Sequence, residues 1–327
     1  MRLAGFMASA VFLLVASFGD VRAGDFHRSA DIVCSDCHTQ HYTQVGNPAG
    51  WQPGGPFTGL LVASSTNVLC LFCHDGSDPD APDVLAPVNL YEGSGDETSA
   101  GGFFSGAPGT PSPMSHDLDV PAPVPLRSDG RVMSLTCASC HAVHGNEFYR
   151  NLLANPDSLG GSSGMRVDHD IFLGSRPAVP PSRAATIQAY RASNTGYAAG
   201  MRDWCARCHD QLASDAPGGP PAHFLRHPGE ATMGTRGAHV DLTHWIQGRG
   251  GGFGERTGDG TEGIPRVRFQ VPGAASYAQA RQAGVTSEVF CGSCHLAHGG
   301  SYTRALVWPY REGGADDRSA CNQCHNP

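Results

Sequence analysis

The sequence predicts mostly irregular coil with short helices and little sheet. Three observations carry that expectation. Glycine and proline number 43 and 24 of 327 residues, and both interrupt regular elements. Charged residues make up only 16%, against about 25% in ordinary domains. Six stretches read Cys-x-x-Cys-His, and they use all 12 cysteines. A chain so poor in regular elements needs another body to pack around, and the six repeats point to one.

The repeats are Cys34-Cys37-His38, Cys70-Cys73-His74, Cys137-Cys140-His141, Cys205-Cys208-His209, Cys291-Cys294-His295 and Cys321-Cys324-His325. Each has the form of a c-type haem attachment site. Two thiols add to the haem vinyl groups, and the imidazole that follows reaches the iron from one face. The spacing suits a single helical turn, because residues i, i+3 and i+4 share one face. Disulfides do not account for a histidine after every second cysteine. With 16 histidines in 327 residues, each such placement has a chance of about one in twenty. Zinc uses Cys-x-x-Cys pairs but does not require the adjacent histidine. The expected fold is therefore a multihaem c-type cytochrome, its chain wrapped around a line of six haem c groups.

Residues 1–23 read as an export signal. Met1-Arg2 is a basic start, an apolar run extends from Leu3 to Phe18, and Val21-Arg22-Ala23 has the form of a cleavage site. A membrane anchor is the alternative, but the run is short. Residues 24–327 then form one hexahaem domain. Export agrees with the motifs and places the protein in the periplasm, at the cell surface or outside the cell.

All 22 basic residues are arginine. Arginine pairs with carboxylates in a two-pronged way, haem propionates included. The absence of lysine removes that residue as an iron ligand. The formal charge of −8, with the propionates added, makes nucleic acid an unsuitable partner.

The segments between the motifs read as loops. Residues 46–58 and 92–113 are rich in Gly, Pro and Ser. Asp75 to Asp83 is acidic with two prolines, and reads as a solvated turn or a calcium loop. Ala184 to Ala199 has helical spacing and leads towards the fourth motif through Trp204. Ala274 to Ala283 reads as another short helix, and Gly248 to Gly260 as a glycine-dense loop.

Each iron has a second axial position, and ten histidines remain outside the motifs. Their surplus favours bis-histidine ligation; no methionine recurs at a fixed offset from the motifs. His41, His144 and His298 follow the first, third and fifth motif histidines by three residues. This alternation is an internal repeat. One helical turn from a bound imidazole, such a residue faces away from the open side of its own iron and suits a neighbouring one. His27 and His116 lie upstream of the first and third motifs. His227, His239 and His244 lie between the fourth and fifth, with the choice between the last two open.

The flanks of the motifs extend the pattern. Phe26-His27 precedes the first. Cys70-Leu71-x-Cys73-His74, Cys137-x-Ser139-Cys140-His141-x-x-His144-Gly145 and Gly200-Met201-x-x-Trp204-Cys205-Ala206-x-Cys208-His209 follow. Leu225-Arg226-His227-Pro228, Cys291-x-Ser293-Cys294-His295-x-Ala297-His298 and Ala320-Cys321-Asn322-x-Cys324-His325 complete the series. In these residues the chain resembles the OmcS-like hexahaem c-type cytochromes, the extracellular cytochrome filament family. The resemblance implies bis-histidine haems, alternately stacked and T-shaped, in a continuous coil-wrapped chain. It also implies that His41 ligates a haem of the next subunit.

Two classes of function follow. The first is electron transfer by a head-to-tail filament subunit, with other redox cytochromes and extracellular electron acceptors as partners. A soluble periplasmic shuttle shares that chemistry. The second is a multihaem reductase, which needs an open iron. No lysine stands in for a motif histidine, and the histidine surplus leaves no iron in want of a ligand, so the sequence favours a carrier over an enzyme.

Overall fold

The structure is a computed structural model. It describes residues 27, 32–39, 57–86, 100–103, 108–125, 127–144, 149–153, 156, 172–174, 195–197, 201–213, 270 and 288–310. These include the first five motifs. The sixth motif (Cys321, Cys324, His325), the candidates His41, His227, His239 and His244, the export signal, Ala274–Ala283 and Gly248–Gly260 lie outside the described residues.

Among the described residues the chain is mostly coil with short helices and little sheet, as expected. Helix α1 is Cys34–Cys37, α2 is Thr66–His74, α3 is Met201–Ala206 and α4 is Asp210–Ala213. Single 3-10 turns hold Cys137–Ser139 and Cys291–Ser293. Two short antiparallel hairpins pair β1 (Ala122–Pro123) with β2 (Val132–Met133), and β3 (Phe172–Gly174) with β4 (Thr195–Tyr197). No helix of the described residues is long and apolar enough to cross a membrane.

Strand β4 corrects one expectation. The spacing predicts helix across Ala184–Ala199, but Thr195–Tyr197 pairs with Phe172–Gly174; the rest of that stretch lies outside the described residues. Thr195 and Tyr197 favour extended backbone and Gly196 disfavours helix. Helix α3, Met201–Ala206, leads into the fourth motif.

The motif turns form as the spacing predicts. The N–H of His38, His141, His209 and His295 each donates to the carbonyl of its own first cysteine, at 2.9, 3.0, 3.1 and 3.0 Å. The odd motifs share one start. The Asp36 carboxylate accepts from Val33 N at 2.8 Å, and the Ser139 and Ser293 hydroxyls accept from Thr136 N and Phe290 N at 2.9 and 3.0 Å.

The apolar core is divided between the motifs. Leu71, Phe103 and Leu118 pack beside the second. Met201, Trp204 and Phe290 pack where the third, fourth and fifth meet, against Cys140, Leu152 and Cys205. Met201 and Trp204, one turn apart, share a helix face, and Trp204 Nε1 donates to Leu153 O at 2.7 Å. Asn67, fully buried in α2, ties the second motif to the third. Its Nδ2 donates to Leu135 O at 3.1 Å and its Oδ1 accepts from Cys137 N at 2.8 Å.

Candidate metal centres

The helix does not continue past the motif histidine. His38 is extended at φ −124° and ψ 148°, and His141 and His295 form isolated bridges with Leu152 and Leu306. His144 and His298 therefore do not sit one helical turn beyond the motif on a shared face, as the spacing suggests. The reason is a returning segment that takes the backbone groups a helix would need.

That segment repeats at the three odd motifs. Thr39 N donates to Leu60 O at 2.8 Å, and Val62 N to Cys37 O at 3.0 Å. Ala142 N donates to Asn151 O at 2.7 Å, and Leu153 N to Cys140 O at 2.8 Å. Leu296 N donates to Ala305 O at 2.9 Å, and Val307 N to Cys294 O at 3.0 Å. Each segment makes a left-handed turn of two residues: Gly59-Leu60 (φ 73° and 57°), Arg150-Asn151 (53° and 54°) and Arg304-Ala305 (64° and 57°). The first residue of each turn aims its carbonyl at the motif imidazole. His38, His141 and His295 donate from Nδ1 to Gly59 O, Arg150 O and Arg304 O at 3.1, 3.0 and 2.8 Å. The even motifs use other loops: His74 Nδ1 donates to Pro82 O at 2.9 Å and His209 Nδ1 to Pro125 O at 2.8 Å.

A carbonyl can only accept. All five described motif histidines therefore hold their proton on Nδ1, which leaves the lone pair on Nε2, the tautomer a metal requires. Two further histidines follow suit: His27 Nδ1 donates to Val143 O at 3.1 Å and His116 Nδ1 to Ala297 O at 2.6 Å.

Four motif imidazoles stand opposite another imidazole. His38 is paired with His144, His74 with His27, His141 with His298 and His209 with His116, with ring centroids 6.0, 6.4, 6.2 and 6.2 Å apart. Two imidazoles bound trans to one metal, with bonds of about 2.0 Å, have centroids about 6.3 Å apart. Direct ring stacking would be closer: Phe103 stacks on His298 at 4.6 Å. The spacing thus fits an iron between each pair. Among the described residues no three His, Cys, Asp or Glu side chains converge on a metal position. Paired donors suit a ring that brings four ligands of its own, and the adjacent cysteines suit its covalent attachment.

The pairings skip along the chain. The extra histidine of the third motif meets the first motif, and that of the fifth meets the third. The upstream histidines His27 and His116 meet the second and fourth. The motifs themselves are neighbours in sequence order. Cys37 lies within electrostatic reach of Cys70 and Cys73, and Cys140 of Cys208. The Cys70 thiol contacts that of Cys137, and Cys205 that of Cys291.

Burial disfavours the charged form of several of these groups. Burial, then the charges of His141 and Arg150, push His298 down to about 3. Burial also lowers His141, to which the Arg150 and His74 charges add. Burial pushes the Cys37 thiol up to about 11 and Cys140 up to about 12.

The acidic segment Asp75–Asp83 uses its carboxylates locally. Asp75 Oδ1 accepts from Ser77 N, Asp78 Oδ1 from Asp80 N, and Asp83 Oδ1 from Leu85 N, each at 2.9 Å. The calcium-loop alternative gains no converging carboxylates here, and the loop's evident task is to present Pro82 O to His74. Sequence reasoning missed Asn67, Pro82, Pro125 and the left-handed turns. The turns do carry a signal: Phe57-Thr58-Gly59-Leu60-Leu61-Val62, Phe148-Tyr149-Arg150-Asn151-Leu152-Leu153 and Tyr302-Thr303-Arg304-Ala305-Leu306-Val307 share an aromatic start and a Leu at the fifth place.

Among the described residues, then, the chain is coil that carries cysteine-flanked, opposed imidazoles. No family model and no curated protein matches the chain. It is similar to OmcS nanowires from Geobacter sulfurreducens, solved by cryo-EM, with 19% identity over 86% of this chain and 84% of that chain and a TM-score of 0.49. It is similar as well to the outer membrane cytochrome S filament from Geobacter sulfurreducens, with 18% identity over 88% and 86% and a TM-score of 0.49.

Proposed function

We propose that the protein carries electrons through six covalently attached bis-histidine haem c groups. The observation that supports this most directly is the set of four imidazole pairs at metal-spanning distance, each including a motif histidine. His38/His144, His74/His27, His141/His298 and His209/His116 would hold the first four irons. His295 and His325 would hold the last two, with His41, His227, His239 and His244 as the candidates opposite them. Haem supplies one-electron chemistry when bound. The chain's part is to fix the ligand tautomers, exclude other ligands and set the groups in line, and the sequential contacts of the motifs suit such a line. The four pairs fill both sides of the first four sites, and with the last two filled in the same way no position would be left for a substrate, which supports a carrier over an enzyme.

The step of two motifs bears on assembly. An extra histidine meets the motif two places earlier in both observed cases. His41 has no such motif in its own chain; the same step lands on the fifth motif of another copy. A head-to-tail contact of that kind does not close unless its rotation permits a ring, so it propagates a filament. We assign the protein to an exported, extracellular or cell-surface filament that passes electrons to outside acceptors.

Intact mass and a pyridine haemochrome assay count the haems. Six low-spin haems that do not bind carbon monoxide are expected, and stoichiometric carbon monoxide binding by the reduced protein would overturn full bis-histidine ligation. His41→Ala should retain six haems, lose filaments and open one iron per subunit. Normal filaments from that variant would sink the assembly, and a wild type that stays monomeric at high concentration would make it a soluble shuttle.

A further inference from the structure

The four imidazole pairs differ in the angle between their rings. His38/His144 and His209/His116 are near parallel, at 26° and 29°. His74/His27 stands at 48°, and His141/His298 is crossed at 64°. An imidazole on a metal turns easily about its single bond, so its plane is set by what it touches. His141 is held through Nδ1 by Arg150 O at 3.0 Å. His27 and His116 are held in the same way by Val143 O and Ala297 O. His298 is held by a ring. Phe103 stacks on it with centroids 4.6 Å and planes 23° apart, within the range of stacked aromatic pairs.

Phe103 is itself held in place. It is buried, and packs with Leu71 of the second motif and with Leu118. Its N–H donates to Val84 O at 2.9 Å, and Ala100 O accepts from His298 N at 2.6 Å. Between them, Gly101 bridges to Gly299, and its backbone also meets the His298 ring. Gly102 has no room for a side chain, because a Cβ there would lie 2.1 Å from Ala86 O. Residues 100–103 are thus fixed against the second motif and its loop, and they lay one aromatic ring on the extra histidine of the fifth.

We propose that Phe103 is a positioning residue that keeps the third-site imidazoles crossed, and so gives that site an electronic structure unlike the near-parallel first and fourth. The inference rests on the haem-carrying function proposed above. In a low-spin ferric site each imidazole raises the iron d orbital that lies across its ring. Parallel rings raise the same orbital and split the pair. Crossed rings raise one each and leave the two nearly level. A split pair confines the exchanged electron to one direction in the haem plane, whereas a level pair serves two. The third motif has neighbours on two sides. Asn67 of α2 accepts from Cys137 N at 2.8 Å, and Cys140 packs with Cys205 on the cluster around Trp204.

Low-temperature EPR of the oxidised full-length holoprotein reads the angle. Near-parallel pairs give rhombic signals, and crossed pairs give one strongly anisotropic signal with a much larger maximum g value. The wild type should show the anisotropic kind, integrating to at least one haem per molecule. Phe103→Leu keeps an apolar side chain and removes the ring. It should convert one haem's worth of that signal to the rhombic kind, with the haem count by mass unchanged. Phe103→Tyr keeps the ring and should retain the signal. Leu118→Ala loosens the same cluster and leaves the Phe103 ring in place, so it should lower the unfolding midpoint without moving the signal. A Phe103→Leu spectrum that superimposes on the wild type, or an equal conversion in Phe103→Tyr or Leu118→Ala, would overturn the proposal. A six-haem wild type with rhombic signals alone would overturn it whether or not any variant folds. A wild type without covalent haem would instead remove the function on which it rests.

Discussion

The backbone N–H of His116 donates to the carbonyl of His298 at 3.1 Å. Two imidazoles that face different motif histidines are thus joined directly through the main chain. The His116 ring adds a second tie, to Ala297 O at 2.6 Å. His27 repeats that second tie with Val143 O, beside His144. Neighbouring imidazole pairs thus share a frame in which neither His116 nor His298 moves alone.

His116→Ala should therefore disturb two centres. The iron beside His209 should become high-spin and bind carbon monoxide. The low-spin EPR signal of the His141/His298 pair should also shift, since the ring's tie to Ala297 is gone. Loss of one signal with all others unchanged would show that the centres are independent.

Gly299 sits where three backbone segments cross. A Cβ there would lie 2.4 Å from Gly102 O, 2.6 Å from Ser115 Cβ and 2.9 Å from Met114 O. Gly299→Ala should cost about 2–3 kcal/mol in denaturant unfolding and displace His298. Gly130 has φ +63° and no atom within 4 Å of a built Cβ, so Gly130→Ala should cost only about 1 kcal/mol. Equal midpoints for the two variants would contradict the packing described.

Asn67→Leu keeps the volume and removes both hydrogen bonds. Cys137 N–H and Leu135 C=O then lose their partner in a buried place, at a cost of about 2–4 kcal/mol. Unfolding midpoints would measure it. A neutral substitution would mean that the second and third motifs are not coupled through this side chain.

Acid should weaken the His141/His298 pair over a defined window. The value for His298 in the fold, about 3, lies below its ordinary 6.5. Between the two, the unfolded chain holds the extra proton, so stability rises with pH there. The neutral imidazole contributes fully above about 6.5 and progressively less as pH falls towards 3. Asp75, Asp129 and Asp210, held below 3.8 chiefly by local hydrogen bonds, add to the loss only at the acid end. Denaturant midpoints that stay level, or rise, from pH 6.5 to 4 would count against the pair.

What the sequence discloses is local. The Cys-x-x-Cys-His turn closes within five residues, so its geometry follows from spacing, and the coil-rich fold follows from glycine and proline. His27, His116, His144 and His298 stand out because their positions repeat. Their partners do not, because pairing runs over two motifs and nothing local encodes that step. The exit from the motif turn was misread as helix because the returning segment lies 21 residues beyond His38 but 9 beyond His141 and His295. Unequal spacing hides a repeat that the hydrogen bonds make plain. Asn67 looks ordinary until its contacts, 68 and 70 residues away, are known.

The two-motif step also sets the order in which the chain can mature. His27 reaches across 116 residues to Val143, and His116 across 181 to Ala297. Such separations make folding slow. As the chain emerges from its N-terminus, the first centre has to wait for residue 144 and the third for residue 298. His38 and His141 are each paired by chain that arrives two motifs later, whereas His74 and His209 meet His27 and His116 from chain already made. On the proposed function, a chain cut after the fourth motif would lose more than two haem sites: His141 would lack His298 opposite it, and the third site would stand open to outside ligands and oxidants.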